Sequence, residues 1–175
     1  MNNSEKRSKV LASLEKSFTE ELVPASIIKE ESVGVEVLNL MLEDLVEEGH
    51  VSYGEFFFLP DTEDSDMTIF ESVITVTGEL GKDTIGDLCV AVAAINYFVT
   101  SGAFAVDVEG GRLLYRHSVE LGNEVTKEEL LSACDMNMSI SMQMAAHYAD
   151  QLLDVADGDR DAASVIEFYT GKGLS

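Results

Sequence analysis

Apolar residues recur at helical spacing from the start of the chain, where Val10, Leu11, Leu14, Phe18 and Leu22 mark one stripe and Pro24 stops it. The spacing predicts a helix over about Ser4–Val23 that carries Lys6, Arg7, Lys9 and Lys16 and is loosely attached to the rest of the chain. The next stretch, ASIIKEESVG, suits a short strand or a linker equally. A second helical stripe, Val35, Leu38, Leu42, Leu45 and Val46, closed by Gly49, predicts a helix over about Val35–Glu48.

The pattern then changes period. HVSYGEFFFLP and MTIFESVITVTGEL are rich in aromatic and β-branched residues, and the polar DTEDSD between them predicts an antiparallel hairpin. From Asp83, an acidic N-cap candidate, a helix begins in which LCVAVAAINYFV is apolar almost all round. Such a helix must be covered on more than one side. Ser101 and Gly102 end it, and AFAVDV and RLLYRHSVEL form another hairpin about Glu109–Gly111. Alternation puts Leu113, Tyr115, His117, Val119 and Leu121 on one face, with Arg112, Arg116, Ser118 and Glu120 on the other. Leu114 is the apolar exception, exposed or covered by another element. TKEE reads as a capping box in which Thr126 caps a long helix and Glu129 reaches back. That helix runs to about Ala156, DGDRD breaks it, and a short helix or tail remains.

These elements predict an α+β fold, an antiparallel β-sheet of four to five strands backed by long helices, with an N-terminal helical extension. The division expected is an extension over 1–49, the α+β domain over 50–157 and a short helix or tail over 158–175. With the phrases FFFLPDTED, YFVTSGAFAVD and RLLYRHSVEL before the TKEEL helix start, the stretch from about His50 to Asp157 resembles the YbjN family of bacterial proteins. That family shares its fold with class I type III secretion chaperones. The resemblance covers about two thirds of the chain and implies a sheet backed by helices, commonly paired as a dimer. It also implies a protein-binding or regulatory role without enzymatic activity, and it brings no functional residues to carry over.

Charge narrows the partners. A formal net charge of −22, with no Lys or Arg between Glu30 and Gly81, repels nucleic-acid phosphates and anionic lipid and suits a basic partner or a solubilising surface. A faint winged-helix pattern in VEVLNLMLEDLVEEGHVSYGEFFFL fails on the same ground, since its helix would carry five acids and no base. The chain has no apolar run long enough to span a bilayer, and its N-terminus lacks a signal-like stretch. With two cysteines inside apolar patterns, read as buried reduced thiols, the expectation is a soluble cytoplasmic protein.

MNMSISMQM, Met136–Met144, holds four of the seven methionines and raises the question of a soft-metal site. On a helical wheel, Cys134, Met138, Met142, Ala145, Ala149, Leu152 and Ala156 fall within roughly 40° of one direction and face the sheet. Ala133, Met136, Ile140, Met144, Tyr148 and Val155 form a second stripe nearly opposite. The four sulfurs therefore diverge and cannot converge on one ion. Met136, Ile140, Met144 and Tyr148, with Leu114, are the candidate partner or dimer face, to be covered by the N-terminal helices, a second subunit or a client.

DGDRDAASVIEF places Asp157, Asp159 and Asp161 at calcium-loop spacing, but Ala162 stands where glycine is needed and Phe168 where a bidentate Glu is needed. DTEDSD reads as a solvated turn. His50, His117 and His147 lie far apart without triad-like neighbours, and no GxSxG, P-loop or GxGxxG is present, so no catalytic, cofactor or metal site is assigned. The expected function is a non-enzymatic protein-binding module, chaperone-like or regulatory, acting as a homodimer on a protein client. The alternative is a small-molecule or metal-ion sensor with a pocket between the sheet and the last helix.

Overall fold

The computed structural model describes residues 2–30, 34–60 and 66–172. In chain order these form α1 (Asn3–Glu20), β1 (Ala25–Glu30), β2 (Val35–Glu43), β3 (Val51–Phe58), β4 (Met67–Thr77), α2 (Ile85–Asn96), β5 (Ala103–Asp107), β6 (Arg112–Gly122), α3 (Lys127–Asp157) and α4 (Ala162–Lys172). All strand pairs are antiparallel in one sheet of order β1-β2-β3-β4-β6-β5. The α+β class therefore holds, with six strands rather than four or five.

One predicted element is corrected. Residues 35–48 do not form a helix: Val35–Glu43 is strand β2, hydrogen-bonded to β1 on one side and β3 on the other. Its apolar residues occupy both faces, with Leu38, Leu40 and Leu42 buried and Val35, Val37 and Met41 half-buried opposite them. A two-sided apolar strand has no clean alternation, and its leucines also satisfy a helical period. Gly49, read as a helix stop, belongs to the β2–β3 turn, where its N–H donates to Asp44 Oδ1 at 2.6 Å and its φ is 82°. The undecided ASIIKE stretch is β1. With β2 a strand, the winged-helix pattern also loses its helix.

Nor is α1 loosely attached. Asn2 caps it by accepting from Glu5 N–H at 2.7 Å, and Val10, Leu11 and Leu14 are buried in the same core as Leu38, Leu40 and Phe56. The buried Lys6 ammonium donates to the carbonyls of Asn123 and Val125, each at 2.9 Å, which ties α1 to the turn that leads into α3. A buried cation is tolerated because its hydrogen bonds replace those of water.

Along β3, Ser52, Gly54, Phe56 and Phe58 face the helices. Gly54 has to be glycine there, because a Cβ would stand 2.5 Å from the Phe56 ring that folds back over it. The reading of β6 holds residue by residue: Leu113 and Tyr115 are buried, His117, Val119 and Leu121 are half-buried, and Arg112, Arg116, Ser118 and Glu120 are exposed. Tyr115 donates its hydroxyl to the Ser101 carbonyl, and burial pushes its phenol up to about 12, so it remains a donor.

α3 begins with the expected capping box, Glu129 N–H to Thr126 Oγ1 at 3.2 Å and Thr126 N–H to Glu129 Oε2 at 2.8 Å. It ends at Gly158, φ 82°, the left-handed position a glycine takes at lowest cost. Asp161 then accepts from Ser164 N–H at 2.8 Å at the start of α4, so DGDRD ends one helix and opens the next. The N-cap of α2 is Thr84 rather than Asp83, and Thr84 donates to the Ala156 carbonyl at 2.8 Å. α2 packs against β5, α3 and α4, yet Val90 and Tyr97 remain exposed. Cys89 is exposed too, correcting its reading as buried, whereas Cys134 is buried and desolvation pushes its thiol up to about 12; both are free. No helix among the described residues is long and apolar enough to cross a membrane.

If α1 is part of the core, Leu11→Ala lowers the free energy of unfolding by about 2–5 kcal/mol in urea titrations, the range for a fully buried leucine. A loss below about 0.5 kcal/mol would mark α1 as an appendage.

Candidate binding face

The helices lie on one face of the sheet. α1 packs on β1 and β2, α3 on β4 and β6, and α2 on β5. Between the sheet and α3 sits a polar lock: Ser72 donates to Asn137 Oδ1, Asn137 Nδ2 lies 3.1 Å from His117 Nδ1, and Ser141 donates to the Asn137 carbonyl at 2.7 Å. Ser141 Oγ also lies 3.4 Å from His117 Nδ1, so the two serine hydroxyls, the amide and the imidazole form one connected set. His117 is thereby a satisfied structural histidine. His50 sets Nε2 at 2.6 Å from the Val76 carbonyl, and His147 packs edge-on against Tyr148. The three histidines do not converge.

The expected partner stripe is distributed unevenly. Tyr148 is buried, donating to the Phe98 carbonyl at 3.1 Å and lying 5.8 Å from the Tyr169 ring of α4. Met144 is half-buried, its sulfur 3.8 Å from the Thr100 hydroxyl. Ile140 is half-buried and Met136 is 62% exposed. The chain's own α4 and α2–β5 loop thus cover the C-terminal half of the stripe. Leu114 stands elsewhere, half-buried on the opposite face of the sheet between Thr75 and Ala105.

That opposite face carries a feature the sequence reading missed. Ile28, Val37, Phe57 and Glu71 align across β1 to β4 in one register row, and Asn39, Glu55, Val73 and Arg116 in the next. Around them lies a groove of about 530 Å³ lined by Ile28, Glu30, Val35, Val37, Asn39, Glu55, Phe57, Leu59, Pro60 and Val73, strand residues and the two that come directly after β3. At Asn39 it meets a hollow of about 400 Å³ that includes Pro24, Met41 and Tyr53. The apolar residues on both sides of β2 were the available signal; read as a helix, they hid the second face.

Each edge strand of the sheet takes side-chain hydrogen bonds from a helix at one residue. Glu15 of α1 accepts from the Ile27 N–H of β1 at 3.0 Å. At the far edge, Asn96 of α2 accepts from Phe104 N–H at 2.8 Å and donates to the Phe104 carbonyl at 2.9 Å, so its amide imitates a strand residue. Each such bond occupies backbone groups that an added strand would use.

The face also holds a buried acid. Glu71, with its side chain 4% exposed, takes Arg116 Nε at 3.0 Å and Nη2 at 2.8 Å on Oε1 and the Ser118 hydroxyl on Oε2. Both carboxylate oxygens thus accept hydrogen bonds, two of them charge-assisted. Arg116 is thereby committed to Glu71 rather than to the groove.

No family model matches the chain, and no curated protein matches it. Among solved structures it is similar to YbjN from E. coli, at 13% identity over 81% of this chain and 92% of that one, with a TM-score of 0.44. It is also similar to an uncharacterized protein from Methanothermobacter thermautotrophicus, at 16% identity over 82% and 99% of the two chains, with a TM-score of 0.42. The likeness is one of fold alone.

Arg116→Met leaves Glu71 buried without its cation and costs about 2–4 kcal/mol in a denaturant titration, whereas the Glu71→Leu/Arg116→Met double variant regains most of that loss. Additive losses would mean that the two side chains act independently.

Proposed function

We propose that this chain is a non-enzymatic binding protein, chaperone-like or regulatory in role, that holds a protein client on the open face of its sheet. The observation that carries the reading is the groove along β1 to β4: it offers aliphatic and aromatic area, one amide and carboxylates, on a face that no described helix lines. Apolar area gathered in one concave place on a protein surface marks interaction sites. The side-chain bonds at Ile27 and Phe104 occupy edge groups and so favour face-on recognition.

The partner is a protein in this reading, because −22 of formal charge opposes approach to nucleic acid or anionic lipid. A homodimer would use the middle of α3 at Met136 and Ile140, the part of the expected partner face left open by the chain's own elements; Leu114 borders the client face instead. Two free thiols suit a reducing, cytoplasmic setting. The sensor alternative places its pocket between the sheet and α3, where Ser72, Asn137 and Ser141 close the space; the groove is on the other side.

A photo-crosslinking residue in place of Val73, in the full chain inside its host cell, is expected to trap a discrete heavier species containing a second protein. The same residue in place of the exposed Ala163 on α4 is not. Equal trapping at both positions, or none at Val73, would sink the reading.

A further inference from the structure

The groove and its continuation at Asn39 form one track that runs along β2 from Val35 to Met41. We infer that its occupant is an amphipathic helix about 13 residues long whose apolar stripe is flanked by Lys or Arg; the inference rests on the face being a client-binding face.

The helical form comes from backbone hydrogen bonding. On the face of a sheet every strand N–H and C=O is already used within the ladder, so an extended segment laid on Ile28, Val37, Phe57 and Val73 would leave its own backbone groups against apolar side chains. A helix arrives with those groups satisfied, as α1 and α3 do on the other face. The dimensions agree. Six strand rises from Val35 to Met41 give ~20 Å, about 13 residues of helix, and three strand spacings from Ile28 to Val73 give ~14 Å, enough for a helix about 10–12 Å across.

The charge comes from the rim. Glu55 lines the track and Glu43 ends β2 beyond it, while no Lys or Arg occurs between Glu30 and Gly81. Arg116, beside Val73, is held by Glu71. Long basic side chains can lay their methylenes on the apolar floor and reach these carboxylates with their ends. A second copy of this chain would bring the same acids and another −22, so charge disfavours it as the occupant.

The test uses three synthetic 14-residue peptides with one apolar helical stripe and Lys, Gln or Glu at the flanking positions, titrated by fluorescence anisotropy against the full chain. The Lys peptide is expected to bind about tenfold more tightly than the Gln peptide, with the advantage shrinking as salt is raised and the Glu peptide weakest. It is also expected to gain helical circular dichroism on binding. Glu43→Gln/Glu55→Gln, with its own fold checked by circular dichroism, should shrink the Lys advantage and leave Gln-peptide affinity unchanged. Equal binding of Lys and Gln peptides, both lost in Val37→Glu, would overturn the charge assignment while leaving the binding face intact. A Lys peptide broken by a central proline that binds as well would overturn the helical one. Binding of none, or binding that survives Val37→Glu, would defeat both the inference and the reading beneath it. Sedimentation as a dimer that Val37→Glu dissolves would make the occupant a second copy and overturn the inference.

Discussion

A six-stranded sheet has two faces, and this chain lays its helices on one of them. Phe56, Phe70, Ile74, Leu38 and Leu40 are removed from water by α1 and α3, and that burial is the main source of stability the fold has. The remaining arrangement depends on closing this layer. α1 must stay where it is, and the Lys6 bonds to the Asn123 and Val125 carbonyls hold it across the turn into α3. α3 must keep its rotation about its own axis, and the Ser72–Asn137–His117 bonds allow only one. Buried polar groups are costly when unpartnered, so a satisfied set in an otherwise apolar layer selects one packing over near alternatives.

The same helices reach the sheet's edges. Glu15 and Asn96 come from α1 and α2, elements already fixed by packing, and each supplies side-chain oxygen where a neighbouring strand would supply a carbonyl. These bonds hinder strand addition at the residues they cover, while no described helix lies on the outer face. On that face the buried acid Glu71 is balanced locally by Arg116 and Ser118, and the apolar residues around it lie in a groove rather than scattered.

Much of this was legible in the residues. The β3–β4 and β5–β6 hairpins, the alternation of β6, the capping box at Thr126 and the split of the α3 methionines into sheet-facing and outward sets are local signals, carried by side-chain period and turn chemistry. β2 was not legible, because leucines at 38, 40 and 42 and valines at 35 and 37 are compatible with both periods, and only pairing with β1 and β3 decides. The groove was hidden for the same reason: a face made of one residue from each of four strands has no sequence-local signature. The cover over Tyr148 was also non-local, since it comes from Phe98 and Tyr169, far away along the chain. DTEDSD, read as a solvated turn, lies almost wholly outside the described residues.

The central claim is that one face of the sheet is sealed and the other is open. Methyl-resolved NMR with a soluble, uncharged paramagnetic probe measures this directly. The account predicts strong relaxation of the Val35, Val37 and Val73 methyls and little effect on those of Leu38, Leu40 and Ile74. Equal protection of both sets would contradict it, because the outer face would then already be covered in solution.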